Sequence, residues 1–352
     1  MFRLLILGGT SFLGRHLVDA ALERRHHVTL FNRGKTNPDL YPPERFPKVE
    51  CLIGDRDGGL GVLAGRRWDA VIDTSGYIPR LVRQSAMALE GAAAHYCFVS
   101  TISTYAKPER PGLDESAPIE TIDDPLVETV TPETYGALKG GCETGVEAIF
   151  PGRSLVIRPG LIVGPHESSH HFTYWVDRLG RGGPMLAPGR AEAPTQLVDG
   201  RDLAAWMIRM AESGVTGTYN ATGPAENLTL GALLEAGIAV LDSSAVPVWV
   251  DDDFLSQQAD PVTLPFWNPA GGRRAGLHAV DCRRALAAGL KFRPLAESFQ
   301  DSAAWLATRP SDHARKVWLT PAREAALLAA WRSEQPAAAP RSRGRAASPG
   351  GA

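Results

Sequence analysis

Phe2-Arg3-Leu4-Leu5-Ile6-Leu7-Gly8-Gly9-Thr10-Ser11-Phe12-Leu13-Gly14 is the stretch on which the architecture turns. A short apolar run passes straight into glycines, and apolar residues then recur at helical spacing at Leu13, Leu17, Val18, Ala21 and Leu22. Strand, tight turn and helix N-terminus in direct succession bring a phosphate against unpaired backbone N–H groups and the positive end of the helix dipole. The spacing Gly8-x-x-Ser11-x-x-Gly14 departs from the plain G-x-G-x-x-G pattern, because Ser11 stands in the middle position. Its small side chain leaves room for a pyrophosphate and adds a hydroxyl. The competing reading is a purely structural turn, and the strand before and helix after favour a dinucleotide site.

Outward from this stretch the alternation continues. Apolar runs at 28–31, 49–53, 69–73, 96–100 and 154–157 read as strands, and residues 13–25, 80–92 and 133–149 read as helices. Strands alternating with helices imply right-handed crossovers, so the fold class expected is α/β, a Rossmann-type doubly wound parallel sheet. The pattern breaks after Gly164-Pro165. Residues 166–195, rich in Gly, Pro, His and aromatics, read as loop and helix over a cleft. Segments 195–198 and 217–220 read as late strands returning to the sheet around a helix at 202–212. The cofactor domain is therefore placed at 1–165 with a returning segment at 195–222. A smaller substrate-binding lobe takes 166–194 and 223–310, and the Ala/Pro/Ser/Gly/Arg-rich tail at 336–352 is expected to be disordered.

Composition narrows the function classes. The chain has 352 residues, 44% hydrophobic and 22% charged, with a formal net charge of -2. That balance gives no reason to expect nucleic acid or an anionic membrane as partner, and points to a small-molecule substrate. Cys51, Cys97, Cys142 and Cys282 lack metal-ligand spacing and read as free thiols in a reducing compartment. With a strand starting at Phe2 and no membrane-length apolar run, a cytoplasmic location is expected.

The second strand ends Leu30-Phe31-Asn32-Arg33-Gly34-Lys35. NAD enzymes usually place an acid there for the ribose hydroxyls; Asn32 has no charge, and Arg33 with Lys35 suits a 2′-phosphate. NADP(H) is thus favoured over NAD(H). Asp55 in Gly54-Asp55-Arg56-Asp57 either accepts from the adenine amino group or caps its loop. The cofactor-facing set is Gly8, Thr10, Ser11, Phe12, Leu13, Gly14, Asn32, Arg33, Asp55, Arg56, Thr74 and Lys139.

Tyr135-Gly136-Ala137-Leu138-Lys139 places a phenol and an ammonium at i and i+4, on one helix face. Moving a tyrosine from ~10 to near 7 requires about 4 kcal/mol in favour of phenolate. A cation about 5 Å away supplies roughly 3 kcal/mol at an effective dielectric near 20. Strand five runs into Ser100-Thr101-Ile102-Ser103-Thr104-Tyr105, and strand six into Arg158-Pro159-Gly160-Leu161-Ile162-Val163-Gly164-Pro165.

With the glycine turn, these motifs resemble the extended short-chain dehydrogenase/reductase family, from residue 2 to about 310, including Asp199-Gly200-Arg201-Asp202-Leu203-Ala204 and Tyr219-Asn220-Ala221-Thr222-Gly223. The resemblance implies an NAD(P)-dependent enzyme with Thr101, Tyr135 and Lys139 as catalytic residues, Ser100 and Ser103 being near alternatives to Thr101. It also implies that Lys139 holds the nicotinamide ribose, and that helices 80–92 and 133–149 pair in a homodimer. Family dehydratases carry an acidic pair where this chain has Ile102 and Ser103, and sugar-nucleotide epimerases keep an Asn where it has Leu161. Both departures favour a reductase of a ketone over an epimerase, and an intact Tyr135 and Lys139 disfavour a non-catalytic regulator or RNA-binding relative. His166 and Arg190 are assigned to the substrate, Arg190 and Arg201 each being an anchor for an anionic substrate or else a surface or ion-pair arginine. His170, His171, Phe172, Tyr174 and Trp175 either line the cleft or pack the lobe. No metal is expected, because the histidine loop lacks cysteines and any HExxH arrangement.

Overall fold

The computed structural model describes residues 1–122, 124–309 and 318–334. β1 (Arg3–Leu7), α1 (Phe12–Glu23), β2 (His27–Asn32), β3 (Val49–Ile53), β4 (Trp68–Asp73), α2 (Pro79–Leu89), β5 (Ala93–Val99), α3 (Tyr135–Ile149) and β6 (Ser154–Pro159) follow in sequence order. Strands β1 to β6 and the later β10 (Gly217–Ala221) form one parallel sheet in the order β10-β6-β5-β4-β1-β2-β3. The order reverses direction between β1 and β4, which opens a crevice at the carboxyl ends of those strands.

Both sheet faces are covered, so the strands read as unbroken apolar runs rather than alternating ones. Leu4 and Ile6 of β1 pack with Leu17 of α1 and Met207 of α5 (Gly200–Glu212) on one face. Leu5 and Leu7 pack with Val82 of α2 and Val146 of α3 on the other. The period of two along β1 is therefore present, but each side meets a helix layer.

After β6 the chain leaves the central sheet. Pro159 has no N–H to extend a ladder, and β7 (Leu161–Val163) begins a second sheet of order β11-β9-β7 with β9 (Pro194–Asp199) and β11 (Gly223–Thr229). This corrects one expectation: 217–220 does return to the central sheet, whereas 195–198 pairs with β7 in register Leu161↔Leu197. The region 166–195 holds the expected helix, α4 (Phe172–Gly180), and an unexpected strand, β8 (Gly183–Pro188). β8 pairs in parallel with β12 (Ala245–Val250), whose distance in sequence left no local signal for either.

The second core gathers α4, β8 and α6 (Leu230–Val240), then α7 (Asp252–Ser256) and α9 (Leu295–Ala307), while α8 (Arg283–Ala287) packs on the first core through Ala285. It also takes in Leu319 and, from α10 (Pro321–Glu334), Leu327 and Leu328. Glu324 of α10 enters this core and accepts from Arg178 Nε at 2.8 Å and from the Leu186 amide at 3.0 Å. The tail at 336–352 lies outside the described residues. Among the described residues no helix is long and apolar enough to cross a membrane.

Candidate active site

The crevice at the carboxyl ends of the sheet is a cavity of about 570 Å³. Every residue of the cofactor-facing set, from Gly8 to Lys139, lines it, as do Thr101, Tyr135, Ser100 and Lys35. Its phosphate end is the N-terminus of α1. Ser11 is the N-cap residue and makes no side-chain capping bond, and no acidic residue stands in the first turn, so the exposed helix dipole is uncompensated. Gly14 is required by packing: a Cβ there would lie 2.7 Å from the Gly9 backbone. These features fit a dinucleotide pyrophosphate.

At the β2 end, the Asn32 side chain accepts from the Gly34 amide at 2.8 Å, which closes the turn and presents Arg33 and Lys35 at the cleft edge. Both are exposed and have no ion-pair partner among the described residues. Asp55 accepts from the Asp57 amide at 3.1 Å, so the loop-capping role is realised while it still lines the cleft. Arg56 is tied to buried Asp73, with Nη1 at 2.7 Å from Oδ2 and Nη2 also bonded to the carboxylate. Its guanidinium lines the cleft as assigned, with its charge committed to Asp73. Tyr96 donates to the same Asp73 at 2.9 Å, and Asp73 is held well below the usual carboxylate range by Arg56 and these bonds against the opposing effect of burial.

α3 begins at Tyr135, its amide bonded to the Thr131 carbonyl at 2.9 Å. Gly136 allows the helix start to lie against the turn Ile102–Thr104, since a Cβ there would fall 2.1 Å from the Ser103 carbonyl oxygen. One turn on, Lys139 Nζ donates to Gly76 O at 2.7 Å and Val99 O at 2.5 Å. Burial pulls the Lys139 ammonium down to about 8. The phenol behaves differently from expectation. Burial pushes Tyr135 up to about 12, with neighbouring Tyr77 adding to it, and only the Thr101 hydroxyl draws it down. Lys139 directs its charge at backbone carbonyls instead, so in this geometry desolvation outweighs the cation.

The three hydroxyl candidates separate cleanly. Ser100 donates to Glu143, Ser103 does not line the cleft, and buried Thr101 does, its Oγ1 also accepting from the Ser103 amide at 3.1 Å. The substrate assignments are not brought to this cleft. His166 packs beside His16 and Trp305, at ring distances of 5.8 and 5.5 Å, and Ser168 lines the cleft in its stead. Arg190 lines a separate cavity of about 230 Å³ with Asp252 and Trp267. Arg201 is an ion-pair arginine, bound to Asp199 and Asp301. Phe172, Tyr174 and Trp175 belong to the second core, so packing accounts for them. Sequence reasoning missed Tyr77, whose ring lies 5.3 Å from Lys139 Nζ and 6.3 Å from the Tyr135 ring. Its one signal was position, three residues past Thr74 at a strand end. Among the described residues no cluster of His, Cys, Asp or Glu could hold a metal ion.

Comparison with known proteins places these features. The sequence model of the NAD dependent epimerase/dehydratase family matches residues 4–222. The chain is 28% identical over 217 residues to the chloroplast stem-loop binding protein of 41 kDa b of Arabidopsis thaliana, covering 57% of this chain and 53% of that one. It thus spans about half the length of that relative. It is 27% identical over 239 residues to the epimerase family protein SDR39U1 of Bos taurus, covering 64% of this chain and 76% of that protein. In fold it is similar to the UDP-glucose 4-epimerase of Thermus thermophilus in complex with NAD, at a TM-score of 0.63 and 17% identity, over 88% of this chain and 100% of the other.

Proposed function

Since the chain belongs to the NAD dependent epimerase/dehydratase family, we propose that it is an NADP(H)-preferring oxidoreductase interconverting a ketone and a secondary alcohol on a small metabolite. The observation that carries this reading is the meeting of Thr101, Tyr135 and Lys139 in the same cleft as the glycine turn. The bound nicotinamide supplies or accepts the hydride. Two of the three Lys139 N–H groups are taken by Gly76 O and Val99 O, which leaves one that would donate to a ribose hydroxyl of the bound cofactor. Thr101 holds the reacting oxygen, and Tyr135 exchanges the proton with it. A phenol pushed up to about 12 is protonated at neutral pH and suits proton donation to a forming alkoxide, the reductive direction. Arg33 and Lys35 take a 2′-phosphate. Leu161, in the place of the epimerases' Asn, offers no hydrogen bond to a sugar phosphate. The net charge of -2 supports a small metabolite over the stem-loop in the Arabidopsis relative's name.

The second reading, a nucleotide-sugar epimerase, is favoured by the fold likeness to UDP-glucose 4-epimerase. NADPH oxidation against a panel of ketones, run beside UDP-glucose to UDP-galactose interconversion, separates the two. Sugar interconversion without net NADPH consumption would assign the epimerase. With the substrate so identified, Tyr135→Phe lowers turnover at least ~10²-fold and leaves NADPH binding near wild type. Arg33→Ala weakens NADPH about tenfold in calorimetry and leaves NADH unchanged. Tighter binding of NADH than NADPH by the wild type would overturn the cofactor preference.

A further inference from the structure

Behind the cleft wall a buried polar chain runs from the end of β5 toward the edge of the sheet. Glu143, one helical turn past Lys139 on α3, is 3% exposed and does not line the cleft. Its carboxylate accepts the Ser100 hydroxyl. It also accepts Arg158 of β6 on both oxygens, Nε at 3.0 and 3.2 Å and Nη2 at 2.6 Å. Arg158 is 5% exposed, and its guanidinium carbon sits 5.1 Å over the Tyr105 ring. The Tyr105 hydroxyl in turn donates to Asn220 Oδ1 on β10 at 2.7 Å.

The residue after Ser100 is Thr101. Helix α3 and the end of β5 are therefore joined at three levels: Gly136 against the Ser103 carbonyl at the helix start, Lys139 Nζ on Val99 O one turn on, and Glu143 on Ser100 a turn later. Thr101 lies between Ser100 and Ser103. Lys139 fixes the backbone of Val99, and the charge-assisted Glu143 bond in a low-dielectric interior fixes the next residue by its side chain, which removes the freedom left just before Thr101. We propose that Glu143 is a positioning residue: through Ser100 it fixes the end of β5 against α3 and holds the Thr101 hydroxyl in register with Tyr135. The proposal rests on Tyr135 being the proton donor, as argued above. A role confined to the Glu143–Arg158 ion pair would leave the Ser100 hydroxyl dispensable to Tyr135, and that difference can be measured.

The readout is the ionisation of Tyr135, taken as the phenolate ultraviolet difference between each protein and its Tyr135→Phe counterpart, titrated with and without saturating NADP⁺. Ser100→Ala keeps the Glu143–Arg158 pair, and it raises the Tyr135 midpoint by about one pH unit with NADP⁺ bound, since a hydrogen bond to the phenolate is lost. NADPH affinity stays within about twofold of wild type, because the glycine turn is untouched. Glu143→Gln raises the midpoint at least as far; should it fail to fold, Ser100→Ala decides alone. A wild type that responds to NADP⁺, with a Ser100→Ala midpoint equal to or below it, overturns the positioning role while leaving the proposed function standing. A wild-type Tyr135 whose ionisation ignores NADP⁺ overturns the proton-donor reading and this role with it.

Discussion

Lys139 is 2% exposed, and its ammonium rests on two backbone carbonyls, with no carboxylate among the described residues in salt-bridge range. Burial lowers it from an ordinary 10.5 to about 8. Between those values the unfolded chain binds more protons than the folded one, so this residue makes the fold more stable as pH rises. Below the folded value both states are charged, and the burial penalty, roughly 3 kcal/mol, is complete. Chemical denaturation of wild type beside Lys139→Met tests this. Their stability difference moves in favour of wild type by about 2 kcal/mol between about pH 8 and 9.5. The buried Cys97 thiol, which burial pushes up, acts the opposite way at higher pH, but it is common to both proteins and cancels in the difference. A difference that does not change with pH would mean the ammonium is well solvated. The motif Tyr135-x-x-x-Lys139 was legible because both groups leave one helix face. The direction of each group's shift was not, because it depends on how much of the chain closes over them.

β1, the glycine turn and α1 form the element whose behaviour follows most directly from local sequence. The strand is apolar on both faces, the turn is glycine, and the helix begins with no competing acid at its N-terminus. Gly14→Ala tests how tightly the turn is set. The added methyl must displace the Gly9 backbone, 2.7 Å away, and NADPH affinity falls at least ~10-fold as the amides lose their alignment. Unchanged affinity in a fluorescence titration would show that the turn tolerates the shift and that the pyrophosphate is held elsewhere. At β8 and β12 local reading failed. Pro184 and Pro188 bound a run of only a few apolar residues, and its parallel partner lies about 60 residues on, so the pairing had no short-range signature.

Across the whole molecule, α9 ties the two cores together. Its Phe299 is in the second core, while Ser298 and Asp301 reach Asp199 and Arg201 at the start of α5, which packs on the first. Burial alone would push the Asp199 carboxyl up; hydrogen bonds from Arg201 and Ser298 hold it below the usual carboxylate range. Arg201→Gln removes the nearer of two cations from that buried carboxylate, leaving Arg293 Nε at 3.6 Å, and destabilises the protein by about 1 kcal/mol at neutral pH. Because the folded-state carboxyl is depressed, its contribution is present above the ordinary aspartate range and lost as pH falls through the folded value. The gap between variant and wild type in urea denaturation therefore closes in acid; a gap that persists there would assign the loss to packing. Read alone, the sequence determined the parallel sheet, its glycine turn and the Tyr135–Lys139 face, because each rests on periodicity or spacing within one element or one crossover. Long-range packing set that 194–199 joins β7, that Arg56 and Arg201 are consumed by Asp73 and Asp199, that Arg190 and His166 do not line the cleft, and that Glu143 backs Ser100. Those outcomes depend on which charges and strand edges meet when distant segments pack, and no local pattern encodes that meeting.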